Sequence, residues 1–286
     1  MKPSAFEYVR PTSLEEAVDE LAVDPYESKV LSGGQSLIPM MNFRLARPER
    51  LIDINRVPGL EGIAPGDERV TIGARTRHLT VQNTHLPGPL GSLLRSAAAQ
   101  VGHLPIRTRG TFGGSIAHCD AASEWCLVAR LLDAEMTVRG SRWERTIPAA
   151  DFFQAIFTTA MEPDEILTSI SLPALDAHHV TGIAEFARRA GDFAIVAATA
   201  AVKVEEGVVT GARVCLGGVS EVPWRSAAAE AVLLGSTWSA QTVTEAAEAA
   251  ADEVDPPADS HGDADYRRDS VRALLPRALN ATGAAS

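Results

Sequence analysis

The sequence predicts an α+β fold in two parts. Through about the first 175 residues, short β-like runs are mixed with helical periods and separated by Gly- and Pro-bearing turns. A proline closes a strand at Pro173, and a polar stretch containing His178 and His179 follows. Beyond it come two long apolar runs joined by Glu205-Glu206-Gly207 and then two helical segments, the pattern of a hairpin covered by helices. The chain of 286 residues is long enough for two domains with a sizeable core, and the expected division is 1–175 and 176–286.

In chain order, residues 13–23 carry Leu14, Ala17, Val18 and Leu21 on one helical face behind a Ser13-x-x-Glu16 capping box. Strands are expected at 29–31, 51–54, 70–74, 136–139 and 166–172. Residues 90–102 and 124–132 have a helical period. In the second part, 193–204 and 208–219 should pair as a hairpin, followed by helices at 239–251 and 266–279. Val271, Leu274, Leu275 and Leu279 mark the buried stripe of the last helix, with a kink expected at Pro276. The acidic, proline-bearing segment 252–265 reads as a surface loop.

Composition excludes several classes of function. A hydrophobic fraction of 45% and a charged fraction of 22% are those of a globular protein, and no run of about 18 apolar residues is present to span a membrane. The N-terminal residues lack a basic start followed by an apolar stretch, so a cytoplasmic location is expected. A net charge of −11 with no basic stripe argues against nucleic acid. Three cysteines, Cys119, Cys126 and Cys215, are too few and too scattered for a disulfide framework, a zinc site or a four-thiolate cluster. His103, His118, His178 and His179 have no metal-ligand spacing, so no metal is expected on this chain.

Two short segments do point to a ligand. Ser32-Gly33-Gly34-Gln35-Ser36 and Thr111-Phe112-Gly113-Gly114-Ser115 each set paired glycines among hydroxyls. Glycine permits φ > 0 and lets a ligand approach peptide N–H groups unhindered by a Cβ, so two such turns could grip two phosphates. Neither G-x-G-x-x-G nor G-x-x-x-x-G-K-[ST] occurs, which removes the Rossmann and P-loop cradles.

The stretch from Ser32 to Leu45, then Ile106 to His118, together with Arg75-Thr76-Arg77-His78, Ala129 to Glu135, Asp151-Phe152-Phe153 and Arg188 to Ala194, resembles the FAD-binding medium subunit of molybdenum hydroxylases, the carbon monoxide dehydrogenase and xanthine dehydrogenase group. The resemblance runs nearly end to end. It implies a two-part FAD-binding domain of the vanillyl-alcohol-oxidase type, followed by a smaller α+β domain with an antiparallel sheet and helices. It also implies a division of labour in which this chain holds FAD, a small partner carries [2Fe-2S] clusters and a large partner carries the molybdenum cofactor, as a dimer of heterotrimers. Electrons would pass from the clusters through FAD to an external acceptor, so no catalytic acid or base is expected here.

By the same resemblance, Ser32, Gly33, Gly34, Gln35 and Ser36 would hold the diphosphate, with Leu37 packed beside them. Thr111, Gly113, Gly114 and Ser115 would face them, with His118 next in line. Glu124 stands where the family has Asp for the adenosine ribose. Leu167 and Phe193 correspond to positions beside the flavin, although burial in the core would explain either one equally. Gln35 replaces a family His and Thr108 a family Asn, and both can still hydrogen bond. Some relatives place a lysine near the flavin's pyrimidine edge where this chain has Ala184, Glu185 and Ala187, leaving Arg188 or Arg189, or nothing, as its substitute. The scattered Arg44, Arg47, Arg107 and Arg109 read either as solvated or as contacts to a partner or to the flavin phosphates. Two other readings predict different behaviour: a free-standing FAD oxidase would need a substrate pocket over the flavin, and a scaffold that had lost its ligand would not be yellow.

Overall fold

The structure is a computed structural model and describes residues 1–280. Its first part holds two main sheets and a small two-stranded one, Phe153–Ala155 with Thr158–Thr159. Three short parallel strands lie in the order Glu7–Val9, Arg50–Asp53, Ser28–Leu31. The helix Leu14–Val23 links the first two strands in sequence and buries Ala17, Val18 and Leu21. Ser13 Oγ accepts from Glu16 N at 3.1 Å, the expected cap, while the Glu16 carboxylate reaches back to Thr12 N at 2.6 Å, one residue before the usual capping-box partner.

The second sheet is antiparallel, in the order Ile63–Pro65, Arg69–Gly73, Ile166–Pro173, Glu135–Arg139, Glu144–Pro148. Its central strand is the last of the five in sequence. It pairs Ile170 with Ile72 on one side and with Met136 on the other. Leu93 and Leu94 of the helix Gly88–Gln100 and Trp125 and Leu127 of the helix Glu124–Leu131 share one core with these residues.

The C-terminal part is a four-stranded antiparallel sheet, His179–Phe186, Val196–Glu205, Val208–Gly217 and Trp224–Arg225. The hairpin turns through Glu206 (φ 51°) and Gly207 (φ 79°), both left-handed as a two-residue loop requires. Both faces of this sheet are covered. Ile183, Ala197, Ala201 and Cys215 join the core of the first part, whereas Val196, Ala198, Ala200, Val202 and Leu216 lie in a second core with the helices Ala240–Glu253 and Ala264–Asn280. That double burial is why the strand at 196–205 reads as a continuous apolar run rather than an alternating one. The last helix sits directly on strand backbone: a Cβ at Gly182 would lie 1.9 Å from Ala278 O.

The helix Ala264–Asn280 runs through Pro276 as expected, the cost of the proline offset by the buried face of Val271, Leu274, Leu275 and Leu279. Three expectations differ from the structure. The strand expected from 193 begins at Val196, because Gly191 at φ 84° and the bond from Asp192 N to Arg189 O make a turn there. A further helix, Ala227–Leu233, is capped by Ser226, whose Oγ accepts from Ala229 N. The second glycine pair is not a turn at all but the first turn of the helix Phe112–His118.

Candidate functional site

The first glycine segment leaves the C-terminal end of the parallel strand Ser28–Leu31 and runs into the short helix Leu37–Asn42. The carboxyl ends of parallel strands are where crevices form in open sheets. Gly34 turns the chain at φ 72°, and Gln35 Nε2 holds the turn by donating to Gly33 O at 2.9 Å. Gly33 serves a different purpose, close approach: a Cβ there would lie 2.5 Å from Arg109 O and 2.7 Å from Gly110 Cα. The two glycine segments, 79 residues apart at Ser32 and Thr111, therefore touch. A hydrogen bond of 2.9 Å between Ser32 Oγ and Thr111 Oγ1 clasps them, and Asn55 Nδ2 donates to Ser32 O at 2.8 Å from behind.

The segments are unequal as anion cradles. In the second, Phe112 N donates to Thr76 O, Gly113 N to Ala74 O at 2.8 Å, Gly114 N to the capping Thr111 Oγ1 at 3.2 Å and Ser115 N to Thr111 O. All four amides are committed to the fold, and Gly113 is glycine because a Cβ would meet Ala74 Cβ at 2.4 Å. In the first segment the amides of Gly33, Gly34, Gln35, Ser36 and Leu37 make no hydrogen bond to a described residue. Five successive free N–H groups around a left-handed glycine form a nest for an anion, whereas the second segment is its wall and contributes side chains.

Between them lies a cavity of about 520 Å³, within the span of small-molecule sites. Ser32, Gly33, Gly34, Gln35, Ser36 and Leu37 line one side; Thr111, Gly113, Gly114, Ser115 and His118 line the other; and Leu167 reaches it from the central antiparallel strand. A second recess of about 470 Å³ shares Leu31 to Gln35 and adds Asp53, Asn55 and Arg109. Burial lowers the pKa of His118, which stacks on Phe157 with ring centroids 4.9 Å apart. At the floor, Glu165 is fixed as a carboxylate. Its hydrogen bonds from Arg145, Trp143 and Glu162 N outweigh burial and hold its pKa below the ordinary value.

Two sequence candidates stand elsewhere. Glu124 opens its helix, buried and outside the cavity lining, with its pKa pushed up to about 7 by burial and by the nearby Asp120 charge. Phe193 is 57% exposed in the turn before the long hairpin, so burial does not explain it and it does not line the cavity. Glu185 faces the same region as Glu124: burial first, and the charge of Glu124 second, push its carboxyl up to about 9, and its Oε1 has no hydrogen-bond partner among the described residues. Arg188 donates to Ser260 O at 2.5 Å. Arg107 is a structural group, donating to Gly102 O at 2.7 Å and Val101 O at 3.1 Å, whereas Arg109 lines the second recess.

Sequence reasoning did not single out Lys29, His78 or Phe157, all of which line the cavity. Lys29 sits three residues before Ser32 on a strand and could have been found from that spacing. His78 opens the short helix His78–Gln82 and ends a segment that carries the resemblance without a role being read for it, whereas Phe157 lies in a turn and carries no local signal. Among the described residues no group of three or more His, Cys, Asp or Glu is placed to hold a metal ion, and no helix is long and apolar enough to cross a membrane.

Comparison with known proteins shows the family. Residues 4–175 match the family described as FAD binding domain in molybdopterin dehydrogenase, and residues 183–282 match the CO dehydrogenase flavoprotein C-terminal domain. The chain is 39% identical to the 6-hydroxypseudooxynicotine dehydrogenase complex subunit alpha of Paenarthrobacter nicotinovorans, over 98% of this chain and 95% of that one. It is 34% identical to the carbon monoxide dehydrogenase medium chain of Hydrogenophaga pseudoflava, over 99% of each. Among solved structures, the carbon monoxide dehydrogenase of Hydrogenophaga pseudoflava that lacks the Mo-pyranopterin moiety superposes with a TM-score of 0.94 at 36% identity, covering 98% of each chain. The quinoline 2-oxidoreductase of Pseudomonas putida 86 gives 0.92 at 33% identity, covering 98% of this chain and 97% of that one.

The matched families and this two-part fold define an FAD-binding flavoprotein subunit of the molybdenum-dependent oxidoreductases. The chain belongs to the family of medium subunits of molybdenum hydroxylases. It is the electron-transfer subunit of a multi-subunit dehydrogenase rather than a free-standing FAD oxidase, since its relatives are subunits of complexes matched over nearly their whole length.

Proposed function

We propose that this chain works in the cytoplasm beside a small [2Fe-2S] subunit and a large molybdenum-cofactor subunit, as a dimer of heterotrimers. In it, FAD lies with its diphosphate in the Gly33 to Leu37 nest. The observation that carries the placement is the run of five unpaired amides facing a wall whose own amides are all used. Each charge-assisted bond from such an amide contributes roughly 1.5 to 3 kcal/mol, so the nest can hold two phosphates without a phosphate-binding loop of the familiar kinds. When bound, FAD supplies the electron-accepting chemistry.

This chain's residues bind and position. Ser32 and Thr111 tie the two walls together, Leu37 and Leu167 shield apolar parts of the ligand, and Lys29 adds positive charge at the rim. Ser115 and His118 face the nest from the opposite wall. Glu124 and Phe193 lie outside the main cavity, so their expected contacts with ribose and flavin require the cofactor to extend beyond it. The substrate oxidised by the complex is chosen on the large subunit.

Co-expression of this chain with its two partner subunits, followed by purification through a tag on this chain alone, tests the assembly. The account predicts one copy of each partner, an iron–sulfur absorbance beside the flavin bands, and FAD released by acid. A yellow protein that purifies without partners and oxidises substrate by itself would contradict it.

A further inference from the structure

We infer that His78 is a positioning residue for the bound dinucleotide: its Nε2–H, fixed as a donor, is the side-chain counterpart of the amide nest on the opposite wall. The inference rests on the placement of FAD in this cavity.

The tautomer follows from hydrogen-bond chemistry. Trp125 Nε1 carries a hydrogen and can only donate, and it lies 2.9 Å from His78 Nδ1. Nδ1 must therefore offer a lone pair, so the one proton of the neutral ring resides on Nε2. Trp125 is fully buried and packed on Phe112 with centroids 4.7 Å apart, which fixes the indole and through it the imidazole. The His78 main chain is held as well, its N donating to Gly110 O at 3.1 Å.

The ring is also kept neutral. It is 3% exposed, and burial, with the positive fields of Arg77 and Arg107, takes its pKa down to about 3. A neutral imidazole with Nδ1 occupied has one remaining polar capacity, the Nε2–H, and this makes no hydrogen bond to any described residue. Because His78 lines the cavity, that N–H is free to meet an acceptor that a ligand supplies.

Location identifies that ligand. His78 lines the same cavity as Ser32 to Leu37, and a Cβ on Gly110 would lie 2.5 Å from Nε2. Glycine at 110 thus leaves the donor uncovered at the residue next to Thr111. The second glycine segment spends its own amides on the fold, so the wall facing the nest needs side-chain donors, and His78 provides one whose charge does not change across physiological pH. The acceptor class is an oxygen of the diphosphate-bearing cofactor.

The test is a nitrogen–proton correlation of the histidine rings in the full chain, with and without FAD, from pH 5 to 8. The expected result is a neutral Nε2–H ring for His78 throughout this range and a shifted Nε2–H resonance on FAD loading. In parallel, His78→Leu should bind FAD about 10-fold or more weakly, while His78→Gln, which can present an N–H near the same place, should restore most of the loss. A His78 resonance unmoved by FAD, an Nδ1–H tautomer, or equal affinity of the Leu and Gln variants would each overturn the inference. A ligand bound elsewhere would instead leave the nest amides themselves unshifted, which separates failure of this inference from failure of the cofactor placement.

Discussion

Replacing Gly33 with alanine is expected to lower FAD affinity by about 100-fold or more while leaving the chain folded. The new methyl carbon would stand 2.5 Å from Arg109 O and 2.7 Å from Gly110 Cα, and both obstacles are backbone. The first segment must then back away from the second, breaking the Ser32–Thr111 clasp and tilting the free amides away from a common centre. Losing two charge-assisted amide bonds removes on the order of 3 kcal/mol or more, which is the stated fold-change. The displaced strand end is at the surface of the small parallel sheet, so the two main cores are untouched. Titration calorimetry of flavin-free protein gives the affinity, and circular dichroism checks the fold. An alanine variant that binds FAD within a few-fold of the parent would show that the close approach at Gly33 does not shape the site.

The second large effect is a loss of stability with rising pH that Glu185→Gln removes. Glu185 holds its proton in the folded chain up to about 9, mainly because it is buried and further because Glu124 is near, whereas the unfolded chain releases it near the ordinary value of 4.5. Between those values the folded state binds the extra proton. Stability therefore falls as pH rises, at a limit of about 1.4 kcal/mol per pH unit for one proton. Glu124 acts with the same sign up to about 7, and Asp120 adds to its rise. Groups with depressed values act elsewhere: His78 favours the folded state as pH rises through the ordinary histidine range, and Asp53, Glu165 and Asp176 lose their contribution below the ordinary carboxylate range. The interval from pH 7 to 9 is thus the one in which Glu185 dominates. Urea unfolding of the parent should show a falling stability across it, and Glu185→Gln should be nearly flat and the more stable of the two at pH 8.5. Parallel curves would mean that Glu185 is ionised in the folded chain.

That same position marks a departure noted in the sequence. At the segment where the resemblance implies a lysine, this chain has Glu185, whose Oε1 has no hydrogen-bond partner among the described residues, and Arg188 donates to Ser260 O.

Features set by local chemistry were legible in the sequence. The Ser13 cap, the Glu206-Gly207 turn and the buried stripe of the last helix each follow from residues a few positions apart. The first glycine segment was legible for the same reason, since a left-handed glycine after a strand needs no distant partner. The second was misread as a turn because two glycines weaken helix propensity, and only Thr111 capping from outside, with Ala74 crowding Gly113, shows why a helix begins there. Sheet order was not legible. The central strand Ile166–Pro173 pairs with segments about 30 and 100 residues earlier, and the three-residue strand Glu7–Val9 exists only through its parallel neighbour. His78 was hidden by the same non-locality, because what fixes its tautomer is an indole 47 residues away.

The most direct test of the account is a crystal structure of the full chain loaded with FAD. The diphosphate oxygens should lie within hydrogen-bond distance of the amides of Gly33 to Leu37, with the Phe112 to Ser115 amides still bonded to Thr76, Ala74 and Thr111. A diphosphate bound to the second segment's amides, or lodged away from the first segment altogether, would contradict it.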